Sequence, residues 1–170
     1  KLLKKSIFPH SLGILYQAMT QFVGFKKYGD EYKFMGLASY GEPVYLDQIR
    51  KLVTYDKDNF FKLNLKYFRH QIIGFSFNFE TCSPRYQNLF SHELEKLLGP
   101  SLDSQEKIGK REMDIACSTQ QVFEEIVFQI LKNLKKKFNT ENLVLSGGCS
   151  LNSSLNGKIL EKTNFKNLYI

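Results

Sequence analysis

The sequence has little of what membrane spans, disulfide frameworks and metal centres are built from. No apolar run among its 170 residues approaches the roughly 20 residues of a membrane-spanning helix, so we expect no membrane partner. Cys82, Cys117 and Cys149 are far apart, odd in number and form no CxxC pair, which disfavours a disulfide framework or a zinc ribbon. The sequence therefore predicts a reduced, cytoplasmic protein.

Histidine is equally sparse. His10, His70 and His92 occur singly, and no HxxxH or HExxH pair is present. We therefore predict no complete metal site within these residues. The sequence also shows no signal-peptide pattern, internal repeat or low-complexity segment.

The charge that is present is positive and dispersed. Lys and Arg number 24 against 17 Asp and Glu, a net charge of +7, which permits nucleic acid or an anionic small molecule as partner. The densest basic run, Lys132 to Lys137, is typical of a solvated helix face, so nucleic acid is the less favoured of the two. Because the chain starts without Met and ends at Ile170 inside a predicted strand, we expect residues 1–170 to be an interior fragment of a longer protein.

Hydrophobic periodicity predicts an α/β chain. The ranges with helical spacing are 11–23, 46–53, 86–98, 114–138 and 150–160. Alternating or short apolar runs predict strands at 60–65, 74–79, 142–145 and 168–170, with the first two as a candidate hairpin. Glycines and Pro43 predict a turning, ligand-approaching loop over residues 28–43, and residues 101–111 are expected to form another loop.

The strongest signal for chemistry is the segment 143–152, LVLSGGCSLN. A buried strand leads to Gly147 and Gly148, and a helix is expected to begin directly after them. Glycines let the backbone approach a ligand, and a helix N-terminus offers N–H groups and partial positive charge to a phosphate. Asn152, in the expected first turn, offers a donor and an acceptor to a ribose or base. The segment matches neither a Walker A loop nor a GxGxxG fingerprint. A simple tight turn between a strand and a helix therefore explains the same residues.

Two further segments contain candidate site residues. In the range 31–41, Lys33 is placed to neutralise phosphate charge, and Gly36 and Gly41 to admit a ligand. A surface lysine beside a glycine turn is the commoner explanation of such a pattern. In FPHSLG, residues 8–13, His10 precedes a helix start, where the helix dipole favours its neutral form. His10 is a candidate catalytic base or substrate contact, and a capping or packed histidine fits equally well.

Taken together and in this order, the three segments resemble the O-carbamoyltransferase family of the NodU/CmcH type. The stretches that carry the resemblance are FPHSLGILY at 8–16, GF at 24–25, EYKFMGLASYG at 31–41, DIA at 114–116, SGG at 146–148, Asn152 and NGK at 156–158. The resemblance covers nearly the whole chain and is least distinctive over residues 44–110. Ser39 and Cys149 depart from the residues that are common in the family at those positions.

The resemblance implies a fold and a reaction. It implies that residues 1–170 are part of an ASKHA (actin/Hsp70-like) nucleotide-binding domain, an α/β fold with a mixed sheet and flanking helices. A YrdC-like domain is implied further along the chain. The YrdC-like domain would make carbamoyl-adenylate from carbamoyl phosphate and ATP. The ASKHA-like domain would then transfer the carbamoyl group to a hydroxyl of a small-molecule acceptor, so this fragment alone is expected to be inactive.

The resemblance also implies site residues and a cofactor. The residues expected to contact the adenylate or to lie along the same nucleotide are Gly147, Gly148, Asn152, Lys33, Gly36 and Gly41. A divalent metal, expected to be iron, is implied with ligands outside this segment.

Two alternatives stay open. A relative that transfers a threonylcarbamoyl group to tRNA would suit the basic charge, although Tyr32 stands where such proteins have an Asp beside the lysine, which favours the O-carbamoyltransferase branch. The other is a nucleotide-binding ASKHA domain with a regulatory role and no transfer chemistry. The sequence identifies neither the acceptor nor the oligomeric state, and a homo-oligomer is left open.

Overall fold

The computed structural model describes residues 2–56, 60–73, 76–78, 83–85 and 87–170. In chain order the helices are α1 (Leu12–Phe22), α2 (Glu31–Leu37), α3 (Leu46–Arg50), α4 (His70–Ile73), α5 (His92–Leu98), α6 (Lys110–Lys137), α7 (Ser153–Asn156) and α8 (Ile159–Thr163). Short 3-10 segments occur at Ala38–Tyr40, Leu65–Tyr67 and Gly148–Leu151. Within the described ranges, no helix has both the length and the apolar character needed to cross a membrane.

The strands of the described residues pair only in twos. The antiparallel pairs are β1 (Val53–Tyr55) with β2 (Phe61–Leu63), and β3 (Ser76–Asn78) with β4 (Ser83–Arg85). The parallel pair is β5 (Asn142–Val144) with β6 (Asn167–Tyr169), so the predicted strands at 142–145 and 168–170 are confirmed. No single mixed sheet forms among these residues, and the ASKHA fold stays a prediction.

The expected hairpin between residues 60–65 and 74–79 is wrong. The strand at 61–63 pairs with the preceding residues 53–55, and the strand at 76–78 pairs with the following residues 83–85. Strands this close in sequence need only a short connection to pair, so each joins its nearer neighbour. Residues 74, 75 and 79 of the second predicted strand lie outside the described residues, as does Cys82.

α6 is the helix against which most of the other helices pack. The periodicity that predicts a helix over 114–138 is confirmed, and the helix starts one turn earlier. The Glu112 carboxylate accepts a hydrogen bond from the N–H of Gly109 at 2.9 Å, which stabilises this earlier start. Ile115 and Ile126 are fully buried on its apolar face. That face packs against α1, α2, α3 and α8 and forms the centre of the core.

α1 supplies the facing side of the core, and its predicted bounds are confirmed. The Ser11 hydroxyl caps the helix by accepting the N–H of Ile14 at 3.4 Å. Gly24 follows the helix with φ of +97°, a left-handed conformation that favours glycine. Leu15 and Met19 are completely buried, and each such burial contributes about 1.5–3 kcal/mol relative to exposure.

The loop predicted over residues 28–43 is wrong. α2 and the 3-10 turn at Ala38–Tyr40 that continues it together occupy most of this range. Phe34 explains the difference, because it is completely buried with its ring edge-on to the Tyr16 ring at a centroid distance of 5.1 Å. The burial of this ring outweighs the roughly 1 kcal/mol that a glycine costs inside a helix.

Other predicted helices differ in their bounds. The helix expected over 46–53 ends at Arg50, and Val53 already belongs to β1. The helix expected over 86–98 begins only at His92, and residue 86 lies outside the described residues. The loop expected over 101–111 ends where α6 begins. The helix expected over 150–160 is broken into the 3-10 segment, α7 and α8.

Candidate functional site

The glycine turn follows β5, as the sequence predicts. The N–H of Leu145 still bonds to the carbonyl of Tyr169 at 2.9 Å, so the parallel pairing with β6 extends almost to the turn. Gly147 has φ of +96°, a conformation that costs other residues about 1–2 kcal/mol. A Cβ atom at Gly147 or Gly148 would meet nothing within 4 Å, and both residues are exposed. The turn is therefore open to a ligand that needs close backbone approach.

The chain after the turn is not the single helix that the sequence predicts. The 3-10 segment at Gly148–Leu151 is fixed by Ser150, whose N–H and hydroxyl both donate to the carbonyl of Gly147, at 3.0 and 2.7 Å. Asn152 then has extended backbone and caps α7, because its Oδ1 accepts the N–H of Leu155 at 2.8 Å. The expectation that Asn152 lies in a first helical turn beside a long helix dipole is therefore wrong.

Asn152 is buried in a polar cluster that joins α1, α6 and α7. Its amide makes two reciprocal hydrogen bonds with the Gln120 amide, each 3.0 Å long. The Tyr16 hydroxyl donates to Gln120 Oε1 at 2.7 Å. Burial raises the pKa of Tyr16 well above its ordinary value, so this hydroxyl keeps its proton and stays a donor. These three side chains form a buried connection from α1 through α6 to the start of α7.

The cluster continues to a buried carboxylate on α6. Glu124 Oε1 accepts hydrogen bonds from Gln120 Nε2 at 2.8 Å and from the Ser154 hydroxyl at 3.1 Å. The Lys158 ammonium lies 2.8 Å from both Glu124 oxygens. The Glu124 side chain is only 8% exposed, whereas that of Lys158 is 46% exposed. The ion pair therefore neutralises a carboxylate that the fold has removed from water.

An open cleft of about 750 Å³ lies beside this cluster. Its lining includes Ser11 and Gly13 at the start of α1, Tyr28 and Tyr32 around the start of α2, and Gly148 and Asn152 from the glycine turn and its continuation. The volume is in the range of small-molecule sites. The structure thus brings the end of the FPHSLG segment, residues 8–13, to the same cleft as the glycine turn.

A second, smaller cleft of about 510 Å³ adjoins the first, and Met35 lines both. The ion pair of Glu124 with Lys158 lies in its wall, together with Gln120 and Cys117. The polar cluster therefore has one side facing each cleft.

Lys33 and Gly36 do not take the positions that the sequence suggests. Both lie on α2 instead of a glycine loop. The Lys33 ammonium pairs with Asp30 at 2.6 Å, and this hydrogen bond raises the pKa of Lys33. A Cβ at Gly36 would meet nothing within 4 Å. Neither residue lines the larger cleft, so the described structure gives them no contact with a ligand there.

Gly41 packs against α6. A Cβ built on it would lie 2.0 Å from the carbonyl oxygen of Met113 and 2.7 Å from the nitrogen of Asp114. The next residue is tied to the same place, because the N–H of Glu42 donates to the Asp114 carboxylate at 2.7 Å. The absence of a side chain at Gly41 is thus explained by a backbone-to-helix contact, and its contact with a nucleotide stays a prediction.

His10 precedes α1 and contacts β2. It does not line the larger cleft. Its Nδ1 accepts the N–H of Leu63 at 3.2 Å, which requires the neutral ring at that nitrogen. Burial, with smaller contributions from the charges of Lys62 and His70, lowers the pKa of His10. The expected neutral form therefore agrees with the structure, but the geometry supports a packed histidine and gives no support to a catalytic base.

Tyr16, Gln120 and Glu124 were missed in the sequence. The helical spacing over residues 11–23 and 114–138 predicts the two helices that carry them, but it distinguishes none of the three side chains. Gln120 and Glu124 are four residues apart, so they share one face of the helix. Two polar residues that interrupt an apolar stripe at this spacing are the signal that predicts a buried polar cluster.

A family model described as "Carbamoyltransferase N-terminus" matches residues 2–170. An uncharacterized protein of Synechocystis is 38% identical over 164 residues, which are 96% of this chain and 25% of that protein. Nodulation protein NolNO of Sinorhizobium fredii is 30% identical over 94% of this chain and 20% of its own length. Nodulation protein NolO of Bradyrhizobium diazoefficiens is 29% identical over 95% and 25%. The chain thus spans a fifth to a quarter of the curated relatives it matches.

Proposed function

Because this chain belongs to the carbamoyltransferase N-terminus family, we propose that the full-length protein transfers a carbamoyl group from carbamoyl-adenylate to a hydroxyl of a small acceptor. The match over residues 2–170, with two nodulation proteins among the relatives, confirms the resemblance derived from the motifs. It supports carbamoyl transfer as the class of reaction. The adenylate, the hydroxyl acceptor and a cytoplasmic location are parts of the proposal.

The observation that carries the proposal is the open glycine turn on the larger cleft. Gly148 and the buried amide of Asn152 line the cleft together, and nothing occupies the space above Gly147. Exposed backbone N–H groups of a glycine turn suit a phosphate, and a fixed amide suits a base or ribose. We therefore propose that this cleft binds the nucleotide part of ATP and of carbamoyl-adenylate, as part of an ASKHA-like domain.

The proposed transfer needs only the acceptor alcohol and carbamoyl-adenylate as reactants. The acceptor oxygen bonds to the carbamoyl carbon, the bond from that carbon to the phosphate oxygen of AMP breaks, and AMP leaves with the electron pair. The proton of the hydroxyl passes to a base, which we do not place in this segment. The role of this segment is to bind and orient the adenylate, and such positioning supplies a large part of the rate in group transfer.

The resemblance implies two partners outside these residues, carbamoyl phosphate with its YrdC-like domain and a divalent metal. The metal, expected to be iron, would polarise the carbamoyl carbonyl when bound. Within the described ranges, no three His, Cys, Asp or Glu side chains come together in a group that could hold a metal. The proposal follows the family resemblance, which places the metal ligands outside this segment.

The reaction is tested by ATP–pyrophosphate exchange with the full-length protein. We expect exchange that depends on carbamoyl phosphate, followed by appearance of label from carbamoyl phosphate on a hydroxylated acceptor. If no exchange occurs with carbamoyl phosphate and a divalent metal present, the proposal fails. Exchange without transfer to any alcohol contradicts the acceptor class.

The location of the nucleotide is tested separately by Cys149. This residue is exposed and lines the larger cleft, so alkylation there reports on occupancy. We expect ATP to slow the alkylation of Cys149 in the full-length protein, as followed by mass spectrometry of its peptide. Cys117 lines only the smaller cleft and is the internal control. Equal slowing at both cysteines, or at neither, argues against nucleotide in the larger cleft.

A further inference from the structure

Two large apolar side chains of the larger cleft are left exposed by the fold. Tyr32 on α2 is 65% exposed, and Leu151, at the end of the 3-10 segment that follows the glycine turn, is 75% exposed. Both line the cleft. An apolar surface of this kind gains free energy when a ligand covers it, because the covered area leaves water. Tyr32 and Leu151 therefore mark a part of the cleft that suits a flat, apolar group.

The two side chains come from different walls of the cleft, near the place where these walls touch. The Ser153 hydroxyl donates to the sulfur of Met35 at 3.6 Å, which joins the start of α7 to α2. Tyr32 precedes Met35 by three residues and so shares its face of α2. Leu151 precedes Ser153 by two residues. Tyr32 and Leu151 therefore flank this contact, one from each wall.

The Tyr32 ring differs from the other aromatic ring of α2. Phe34 is completely buried against the Tyr16 ring and belongs to the core. The Lys33 ammonium lies 5.8 Å from the centroid of the Tyr32 ring, which is near the outer limit of a cation–π contact. This contact leaves most of the ring in water. α2 thus buries one aromatic ring in the core and presents the other to the cleft.

The charge of the cleft lining indicates where phosphate is favoured. Among the described residues that line the cleft, Glu31 alone carries a formal charge, and it begins α2 directly before Tyr32. A carboxylate repels the phosphates of a nucleotide at short range, whereas it is compatible with an uncharged base. The glycine turn, by contrast, offers open backbone N–H groups. Phosphate is therefore favoured at the glycine turn, and an uncharged group beside the start of α2.

We propose that Tyr32 and Leu151 hold the base of the bound nucleotide between them, with Tyr32 stacked on one face of the base and Leu151 packed on the other. This inference rests on the proposed function for the identity of the nucleotide, and it adds where the base lies. The phosphates then extend toward Gly147 and Gly148, away from Glu31. Every base can stack on a tyrosine ring, so these two side chains provide affinity, and selection among bases depends on contacts at the edge of the ring.

Removal of the Tyr32 ring tests the stacking. We expect Tyr32→Ser to lower the affinity of the full-length protein for ATP by about tenfold in calorimetry, because base stacking on an aromatic ring contributes an effect of that order. Tyr32→Phe keeps the ring and is expected to retain the affinity. Tyr40→Ser is the matched control, because Tyr40 is 74% exposed on the neighbouring 3-10 turn and lines neither cleft. It is expected to bind ATP like the wild type.

Leu151→Ser tests the other face of the base. It removes an exposed side chain that the core does not use, and we expect the affinity for ATP to fall by about fivefold. The analogue 2-azido-ATP locates the base itself, because its photoreactive group is on the adenine ring. We expect its label, followed by mass spectrometry, on peptides that contain Tyr32 or Leu151. Label confined to other peptides overturns the proposal.

The affinities separate the possible failures. Tyr32→Ser protein that binds ATP like the wild type overturns the proposal, and so does an equal loss in Tyr32→Phe, which would mean that the hydroxyl and not the ring contacts the ligand. If Tyr32→Ser fails to fold, Leu151→Ser replaces it, and unchanged affinity in that variant also overturns the proposal. Wild-type protein that does not bind ATP at all contradicts the proposed function instead.

Discussion

Replacement of Gly41 by alanine is expected to lower the free energy of unfolding by about 3–5 kcal/mol. The backbone at Gly41 has φ of −101° and ψ of 175°, an extended conformation that any residue adopts, so the new methyl group adds no dihedral strain. The cost arises from its contact with α6, where the new Cβ would lie 2.0 Å from the carbonyl oxygen of Met113.

The magnitude follows from the distances. Real Cβ atoms essentially never come within 3.0 Å of another heavy atom, so the chain must move about 1 Å away from α6. Overpacking of this kind costs about 1–3 kcal/mol. The movement also strains the hydrogen bonds from the N–H of Glu42 to Asp114, at 2.7 Å, and from the N–H of Tyr45 to Ser118, at 3.0 Å. Their weakening adds about 2 kcal/mol.

Hydrogen exchange of the α6 amides is the suitable assay, because the segment contains no tryptophan to report its unfolding by fluorescence. A loss of about 3–5 kcal/mol accelerates exchange through opening by about 100- to 4,000-fold. Gly36→Ala is the control, since its Cβ has open space within α2 and alanine there stabilises a helix by about 0.5–1 kcal/mol. Exchange in Gly41→Ala within threefold of the wild type refutes the argument. If ATP affinity then falls at unchanged stability, Gly41 contacts the nucleotide as the family resemblance implies.

Three other substitutions have definite expected outcomes. Lys158→Met leaves the buried Glu124 carboxylate without its cation and is expected to cost about 1–2 kcal/mol in urea unfolding; no loss would mean that the pair is solvated. Gly147→Ala is expected to cost about 1–2 kcal/mol because of the positive φ, and to weaken ATP binding more than Gly24→Ala, whose φ of +97° imposes a similar strain outside the lining of the larger cleft. The pKa of His10 is lower in the folded protein than its ordinary value of about 6.5. As pH falls, the unfolded chain therefore takes up this proton before the folded protein does. The contribution of neutral His10 to stability is present above pH 6.5 and is lost as pH falls through the folded pKa. His10→Asn should flatten that decline between pH 7 and pH 5, and an unchanged slope would show that another group causes it.

The elements that the sequence predicts well are those with a single strong period and a defined end. α1 has an apolar stripe, a serine cap and a terminal glycine, and α6 repeats its apolar residues over about five turns. By contrast, the range 28–43 contains three glycines, which indicate a loop, whereas one buried ring at Phe34 makes it helical. Tertiary burial of this kind is invisible to local propensity.

The candidate site likewise contains residues that the sequence predicts and residues that it does not. Gly148 and Asn152 could be predicted because a strand, a glycine pair and a polar residue lie close together in sequence. The role of Gln120 could not, because its partners Tyr16 and Asn152 are 104 and 32 residues away. Likewise, the contact of Gly41 with Met113 could not be predicted, because it forms only when α6 packs against the 3-10 turn that precedes Gly41. Long-range contacts decide which of the sequence-local signals belong to the cleft.

The number of α6 residues between Met113 and Glu124 restricts where members of the family can carry insertions and deletions. Met113 contacts the backbone at Gly41 and Gln120 holds Asn152, and these two residues of α6 lie about 10 Å apart along the helix. One inserted residue between them would rotate the second set by about 100° relative to the first. Aligned relatives are therefore expected to vary in length over residues 101–109, and to share the same number of residues from 113 to 124.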